Sequence, residues 1–107
     1  MVQTASTATA DNDVTAGANL VLNAMEVVNA SSAVAYIKLY DNQSPTVGTT
    51  APELILPVKA GETRTLNILG TGHTFTSAIS LATVTTAGTG GTTSPSGGDV
   101  KVSLITT

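Results

Sequence analysis

Apolar and polar residues alternate along much of the chain, and a period of two is typical of strands with one buried face. The clearest strand covers residues 33–41, and residues 78–86 and 99–105 show the same alternation. In residues 19–28 the apolar phase switches midway, which a bulge or bend in a strand explains. A short helix through Leu22, Met25 and Glu26 is the alternative there. The clearest strand has Ala33, Ala35, Ile37 and Leu39 on one face and Val34, Tyr36, Lys38 and Tyr40 on the other.

The middle of the chain predicts a hairpin. Residues 53–59 and 63–69 each place aliphatic side chains in phase, and the sequence Ala60-Gly61-Glu62 between them is typical of a tight turn. Pro57 has no N–H to donate to a neighbouring strand, so it marks an edge strand or a bulge.

These segments make about six strands separated by turns, which predicts an all-β fold. The expected form is a small antiparallel β-sandwich, jelly-roll-like, over residues 18–107. Residues 1–17 are a low-complexity run of Thr, Ala, Ser and Asp that cannot bury a face of its own. We predict an extended N-terminal arm there, either disordered or laid against another surface. The total of 107 residues suits one folded domain.

Composition supports the β prediction and excludes several classes of function. About one residue in five is Thr, a β-branched residue that suits a half-buried pleated surface. Only 10% of residues are charged, there is no Cys, and the net charge is −3. The four basic residues are scattered, so no nucleic-acid partner is expected. No apolar run is long enough to span a bilayer and no signal peptide is evident, so no membrane partner is expected either.

The inventory for catalysis is thin. His73 is the only histidine, and no spacing suggests a triad or a metal site around it, so we expect a residue of a loop or strand edge. Asp11-Asn12-Asp13 resembles the start of a calcium loop, but Ala16 and Leu22 stand where that loop needs Gly and Glu. The sequence Gly88-Thr89-Gly90-Gly91 is expected to be a flexible loop. We therefore assign no catalytic, cofactor-binding or metal-ligating residue and expect no enzyme.

Two Asn-X-Ser sequences and one aromatic face complete the candidates. Asn29-Ala30-Ser31 and Asn42-Gln43-Ser44 match the glycosylation pattern, but we expect them to be exposed turns. Tyr36 and Tyr40 share a strand face with Lys38 between them. Burial under a second sheet and burial at a protein interface explain this face equally well, and sugar binding is the weaker third hypothesis. The candidate interface residues are Tyr36, Lys38, Tyr40, Asp11, Asp13 and Val14, the last three in the arm.

Residues 33–107 resemble a widespread family of small β-rich virion proteins of tailed bacteriophages. The resemblance rests on Ala35-Tyr36-Ile37-Lys38-Leu39-Tyr40-Asp41, on Ser44-Pro45-Thr46-Val47-Gly48-Thr49, and on Pro52 with the strand that follows it. The turn Ala60-Gly61-Glu62-Thr63 and the strands at 75–80 and 100–104 also match. Two positions depart from the family pattern: Ser77-Ala78 replaces a Gly, and Lys59 replaces a Pro.

Members of that family are head decoration proteins and tail or fibre components, so the resemblance implies a structural part of a virion. The expected function is a capsid decoration (cement) protein that binds the outside of the head and bridges neighbouring capsomers. Its expected partners are further copies of itself, as a homotrimer, and the major capsid protein. The expected location is the capsid surface of the virion, after assembly in the host cytoplasm. The alternative is a tail, baseplate or fibre module involved in host attachment.

Overall fold

The computed structural model describes residues 2–3, 11–15, 19–68, 70 and 72–106. This part of the chain forms nine β-strands and no helix. The strands are β1 (Val2–Gln3), β2 (Asp11–Thr15), β3 (Leu20–Asn29), β4 (Ala35–Tyr40), β5 (Leu54–Val58), β6 (Thr63–Asn67), β7 (His73–Phe75), β8 (Ile79–Val84) and β9 (Val100–Thr106).

The strands form two antiparallel sheets. Sheet A has the order β1-β9-β3-β6. The short strand β7 lies on the same side of β3 as β6 does: β7 pairs with the first residues of β3, and β6 pairs with its later residues. Sheet B has the order β2-β8-β4-β5. Side chains from both sheets fill one hydrophobic core, which confirms the predicted all-β sandwich. The core consists of Leu22, Met25, Val27, Ala35, Ile37, Leu39, Leu56, Val58, Phe75, Ile79, Leu81, Val100, Val102 and Leu104.

The predicted phase switch in the first long strand is a β-bulge in β3. Its register against β9 shifts between Leu22 and Ala24, so the buried side alternates correctly on both sides of the shift. Leu22, Met25 and Val27 are all buried as a result. The short helix considered as the alternative does not form, because this segment is bonded to strands on both sides.

The two predicted faces of β4 and the edge position of Pro57 are confirmed. Ala35, Ile37 and Leu39 lie in the core, and β4 is a central strand of sheet B. Pro57 lies in β5, at the edge of the same sheet, where its missing N–H costs no ladder bond.

The predicted hairpin of residues 53–69 is wrong. β5 pairs with β4 in sheet B, whereas β6 pairs with β3 in sheet A, so the turn carries the chain from one sheet to the other. β5 places Leu56 and Val58 in the core from sheet B, and Leu66 of β6 packs against the same core from sheet A. The Asn29 backbone bonds this turn, donating to Glu62 O and accepting from Gly61 N.

The described parts of the predicted arm are the two short strands β1 and β2. β1 pairs with β9 at one edge of sheet A, and β2 pairs with β8 at one edge of sheet B. The other residues of the arm, 1, 4–10 and 16–17, lie outside the described part.

Candidate interaction surfaces

The outer face of sheet B is covered by the chain's own loops. Lys38, at the centre of that face, is fully buried, and its ammonium Nζ donates to Thr89 O and Gly91 O at 3.3 Å each. Thr89 and Gly91 belong to the loop of residues 85–96, which Thr85 closes by donating its N–H to Thr93 O. This Gly/Thr loop therefore lies over the middle of β4 and buries Lys38 there.

The buried cation under the Gly/Thr loop has only peptide oxygens as its hydrogen-bond partners among the described residues. Burial disfavours the charged ammonium and lowers the pKa of Lys38 below its ordinary value. Tyr40, on the same face, is also fully buried, and no described residue bonds its hydroxyl. Burial raises the pKa of that phenol.

These positions correct part of the predicted interface. Lys38 and Tyr40 are buried within the chain itself, so a partner cannot touch them unless the covering loops move. The reason is intramolecular: the loops that follow β4 and β8 fold back over sheet B, and no second sheet or second protein is needed to bury this face. Tyr36 keeps partial exposure, so its place at an interface stays a prediction.

The three candidate residues of the arm lie on β2. The backbone from Asp11 to Thr15 pairs with β8 through an irregular register, at the outer edge of sheet B. Their side chains lie outside the described part, so interface roles for Asp11, Asp13 and Val14 stay predictions.

A carboxylate clamp joins the end of β4 to the start of β8. Asp41 accepts hydrogen bonds from the backbone N–H groups of Thr76, Ser77 and Ala78 and from the Thr76 hydroxyl, at 2.7–3.3 Å. Partial burial by itself raises the pKa of Asp41, but the bonds from the backbone of Ser77, Thr76 and Ala78 and from the Thr76 hydroxyl outweigh it, so the pKa lies below its ordinary value. Both oxygens are fully used by these four donors, so this carboxylate is a structural clamp.

The clamp forms one wall of a shallow polar hollow. Its volume is about 500 Å³, and Asp41, Asn42, Gln43 and Ser77 line it. Asn42 Oδ1 accepts from the Ser44 N–H, which fixes the turn as an Asx turn.

Asn29, in the first Asn-X-Ser sequence, is buried, so the prediction of an exposed turn is wrong there. Its Nδ2 lies 2.9–3.1 Å from the carbonyl oxygens of Ala33, Val58 and Lys59, and its Oδ1 accepts from Ser31. The side chain therefore ties the end of β3 to the end of β5 across the two sheets.

A second cavity, the side pocket, lies between the sheets on the side where β5 faces β6 and β7. It measures about 230 Å³ and is lined by Glu53, Leu54, Leu66, Ile68 and His73. At its rim His73 Nε2 lies 3.0 Å from Glu53 Oε1, and both side chains are 43% exposed. The His73 ring packs edge-on against Phe75, with centroids 5.1 Å apart. Here His73 is the first residue of β7, as expected for a strand edge.

Glycine is required beside the side pocket. Gly72 has a positive φ of 81°, and an added Cβ would stand 2.6 Å from Val21 Cγ1 and 2.8 Å from Leu22 O. A larger residue there would displace the strand that carries His73.

The outer face of sheet A, which we call the open face, is formed by β3, β6 and β9. Its exposed residues alternate with the buried ones of β3, β6 and β9. They include Glu26, Val28, Thr63, Thr65, Lys101 and Ile105. Ile105 is 61% exposed and Val28 is 36% exposed.

Sequence analysis missed the open face and the side pocket for different reasons. The exposure of Ile105 could have been predicted from the sequence, because this aliphatic residue is out of phase with the buried Val100, Val102 and Leu104. The contact between Glu53 and His73 could not have been predicted, because these residues are 20 positions apart and meet only through the packing of the two sheets.

No protein-family model, curated protein or solved structure matches the chain. Among the described residues there is no group of three or more His, Asp or Glu side chains placed to hold a metal ion. The same part of the chain contains no helix that could cross a membrane.

Proposed function

We propose that this protein is a non-enzymatic structural protein of a virion, a capsid decoration (cement) protein that binds the outside of a phage head. The observation that carries the proposal is the contrast between its two sheets. The chain's own loops bury Lys38 and Tyr40 on sheet B, whereas the open face of sheet A presents Val28 and Ile105 among Ser and Thr side chains, with Glu26 and Lys101 as its charged residues. The two aliphatic groups lie at opposite ends of this face, since Val28 is opposite Lys101 and Ile105 is opposite Ala24, and contact with another protein would bury both.

The small number of charges supports the same function. Burying a charged group costs several kcal/mol unless it is paired, so a weakly charged face is easier to cover. A standard interface covers about 800 Å² on each partner. The whole chain has 5150 Å² of accessible surface. A standard interface would therefore bury a minor part of this surface, and one face of one sheet is a reasonable place for it.

The strand order supports the jelly-roll part of the prediction. Setting aside β7 as a short addition to β3, the other eight strands form two four-stranded sheets, and most connections cross from one sheet to the other. Double-sheet jelly rolls of eight strands occur in viral capsid proteins and in lectins. This is support at the level of the fold, and the open face carries the functional argument.

In this proposal the partners are further copies of the chain, as a homotrimer, and the major capsid protein of the shell. The protein stands on the capsid surface and bridges neighbouring capsomers. In this proposal, the open face makes the contact between copies. The shell is contacted by Tyr36 and by the arm, with Asp11, Asp13 and Val14.

Purified particles test the function. Heads and tails are separated and the copy number of this protein in each is measured by quantitative mass spectrometry, followed by a cryo-EM map of the heads. We expect the protein in stoichiometric amounts on the heads, outside the shell. Its presence in tails and absence from heads would reject the decoration function and favour a tail, baseplate or fibre module.

A further inference from the structure

We infer that Ile105 of one copy inserts into the side pocket of a second copy, so that the subunits assemble head to tail. The inference rests on the proposed function, since it names the contact between the copies of a decoration protein. It joins two observations that the sandwich alone leaves unexplained, an exposed aliphatic side chain on one surface and an aliphatic cavity on another.

The side pocket is built to receive an aliphatic group. Leu54, Leu66 and Ile68 are partly buried and pack against the core, so they line the cavity without filling it. Its walls are fixed by backbone hydrogen bonds, from Glu53 N to Leu39 O at 2.7 Å and from Ile68 N to Asn23 O at 3.0 Å. A pocket of about 230 Å³ is larger than a cavity of about 150 Å³ that holds benzene, so it has room for a branched aliphatic side chain.

Ile105 is the matching group. It is the most exposed large hydrophobic side chain among the described residues, at 61%. Ala24 lies directly opposite it on β3, and Ser103 is the preceding outward residue of β9. Small side chains therefore flank the isoleucine along β9 and directly across on β3, and the nearest carboxylate of the open face, Glu26, lies opposite Ser103.

The positions of the two features require a second copy. Ile105 lies on the open face, whereas the side pocket opens between the sheets beside β5, so the isoleucine cannot fill the pocket of its own chain. A contact between two different surfaces is heterologous, and it generates a ring when the rotation between subunits closes. A closed ring of three such contacts would be the homotrimer of the proposed function.

The open face carries Glu26 and Lys101, and Lys101 is the charge that complements the acidic rim of the pocket. Glu53 stands at the rim of the pocket with only Oε1 bonded to His73, and Lys101 is exposed on the same strand and face as Ile105. Four residues of a β-strand span about 13 Å, so a lysine at position 101 lies just outside a pocket that holds Ile105. Opposite charges at the margin of the contact favour this pairing and disfavour a shifted one.

Light scattering coupled to size exclusion, over a range of concentrations, tests the contact on the full chain. We expect an oligomer for the wild type and at least about tenfold weaker association for Ile105→Ser. Leu66→Phe, which fills the pocket, should have the same effect. Val34→Ser is the matched control, because Val34 is 38% exposed and lies on neither surface; its mass should equal that of the wild type.

Mixing the two variants gives the sharpest test. Ile105→Ser retains an intact pocket and Leu66→Phe retains an intact isoleucine, so an equimolar mixture has one usable contact and should yield a dimer of two chains and nothing larger. Circular dichroism verifies that each variant is folded. If Leu66→Phe is unfolded, Glu53→Lys replaces it, since this change puts a positive charge at the pocket rim that repels Lys101 of the other copy.

A wild type that is monomeric at every concentration, or a folded Ile105→Ser variant with the wild-type mass, would overturn the inference. Either result leaves the capsid decoration role standing if the wild type is found on heads, although a monomeric wild type rejects the homotrimer. Absence of the wild type from heads rejects that function even if the variants dissociate as expected.

Discussion

Lys38 shows how a single buried side chain can make the stability of this fold depend on pH. Its ammonium is surrounded by the Gly/Thr loop and bonded to two carbonyl oxygens, with no carboxylate bonded to it among the described residues. Carbonyl dipoles compensate less of the lost hydration than an anion would, which is why burial lowers the pKa. The folded chain therefore releases this proton at a lower pH than the unfolded chain does.

The consequence is a rise of stability with pH. Between the lowered pKa of Lys38 and its ordinary value of 10.5 the unfolded chain binds more protons, so the free energy of unfolding rises with pH through that window. Each unit of lowering corresponds to about 1.4 kcal/mol. Urea unfolding from pH 7 to 9.5 should show this rise in the wild type, and Lys38→Met should flatten it.

The upper pH limit avoids Tyr40, whose raised pKa makes the folded state lose stability above pH 10. Lys59→Met serves as the control, because the Lys59 side chain is exposed. An equal slope in the wild type and Lys38→Met would mean that Lys38 does not titrate differently in the two states.

The Asp41 clamp predicts the opposite behaviour at acid pH. Its pKa is lowered in the fold, so its contribution to stability is present above the ordinary value of 3.8 and is lost as the pH falls through the folded value. Asp41→Asn replaces one acceptor oxygen by a donor that faces N–H groups. We expect a loss of about 1–3 kcal/mol at pH 7, measured by urea unfolding, and weaker dependence on pH below 4.

Asp99→Asn is the control for the clamp, since Asp99 is an exposed residue of another loop. Equal losses in the two variants would show that net charge, and not the four hydrogen bonds of Asp41, accounts for the effect.

At the scale of strands, the sequence was informative wherever one face was apolar. The alternation in β4, the phase switch in β3 and the edge position of Pro57 follow from burial on one side and from missing hydrogen-bond donors. Alternation reports that a strand has a buried face but not which sheet it joins. β5 and β6 illustrate this limit, because their aliphatic residues face the same core from different sheets.

The candidate surfaces were less predictable than the strands. Whether Tyr36, Lys38 and Tyr40 meet a partner or the chain itself depends on where the Gly/Thr loop folds, and a run of small residues has no periodicity from which to infer that. The side pocket depends on which side of the sandwich lacks a covering strand. The exposed Ile105 was detectable, since it breaks the alternation of β9.

At the scale of the molecule, the arm and the two sheets have separate roles that a truncation can distinguish. Without β1 and β2, sheet A keeps β9, β3 and β6 and sheet B keeps β8, β4 and β5, so removal of residues 1–15 should leave a folded sandwich. The same truncation exposes the edges of β9 and β8, where β1 and β2 were paired, and free edges promote association between strands of different chains.

We therefore expect the truncated chain to keep its β-type circular dichroism, to melt roughly 5 °C or more below the wild type, and to form larger species in light scattering. Attachment to heads should also weaken, if Asp11, Asp13 and Val14 face the shell. Adding a peptide of residues 1–15 should reverse the self-association if the exposed edges cause it. An unfolded product would instead mean that the arm is an integral part of the core.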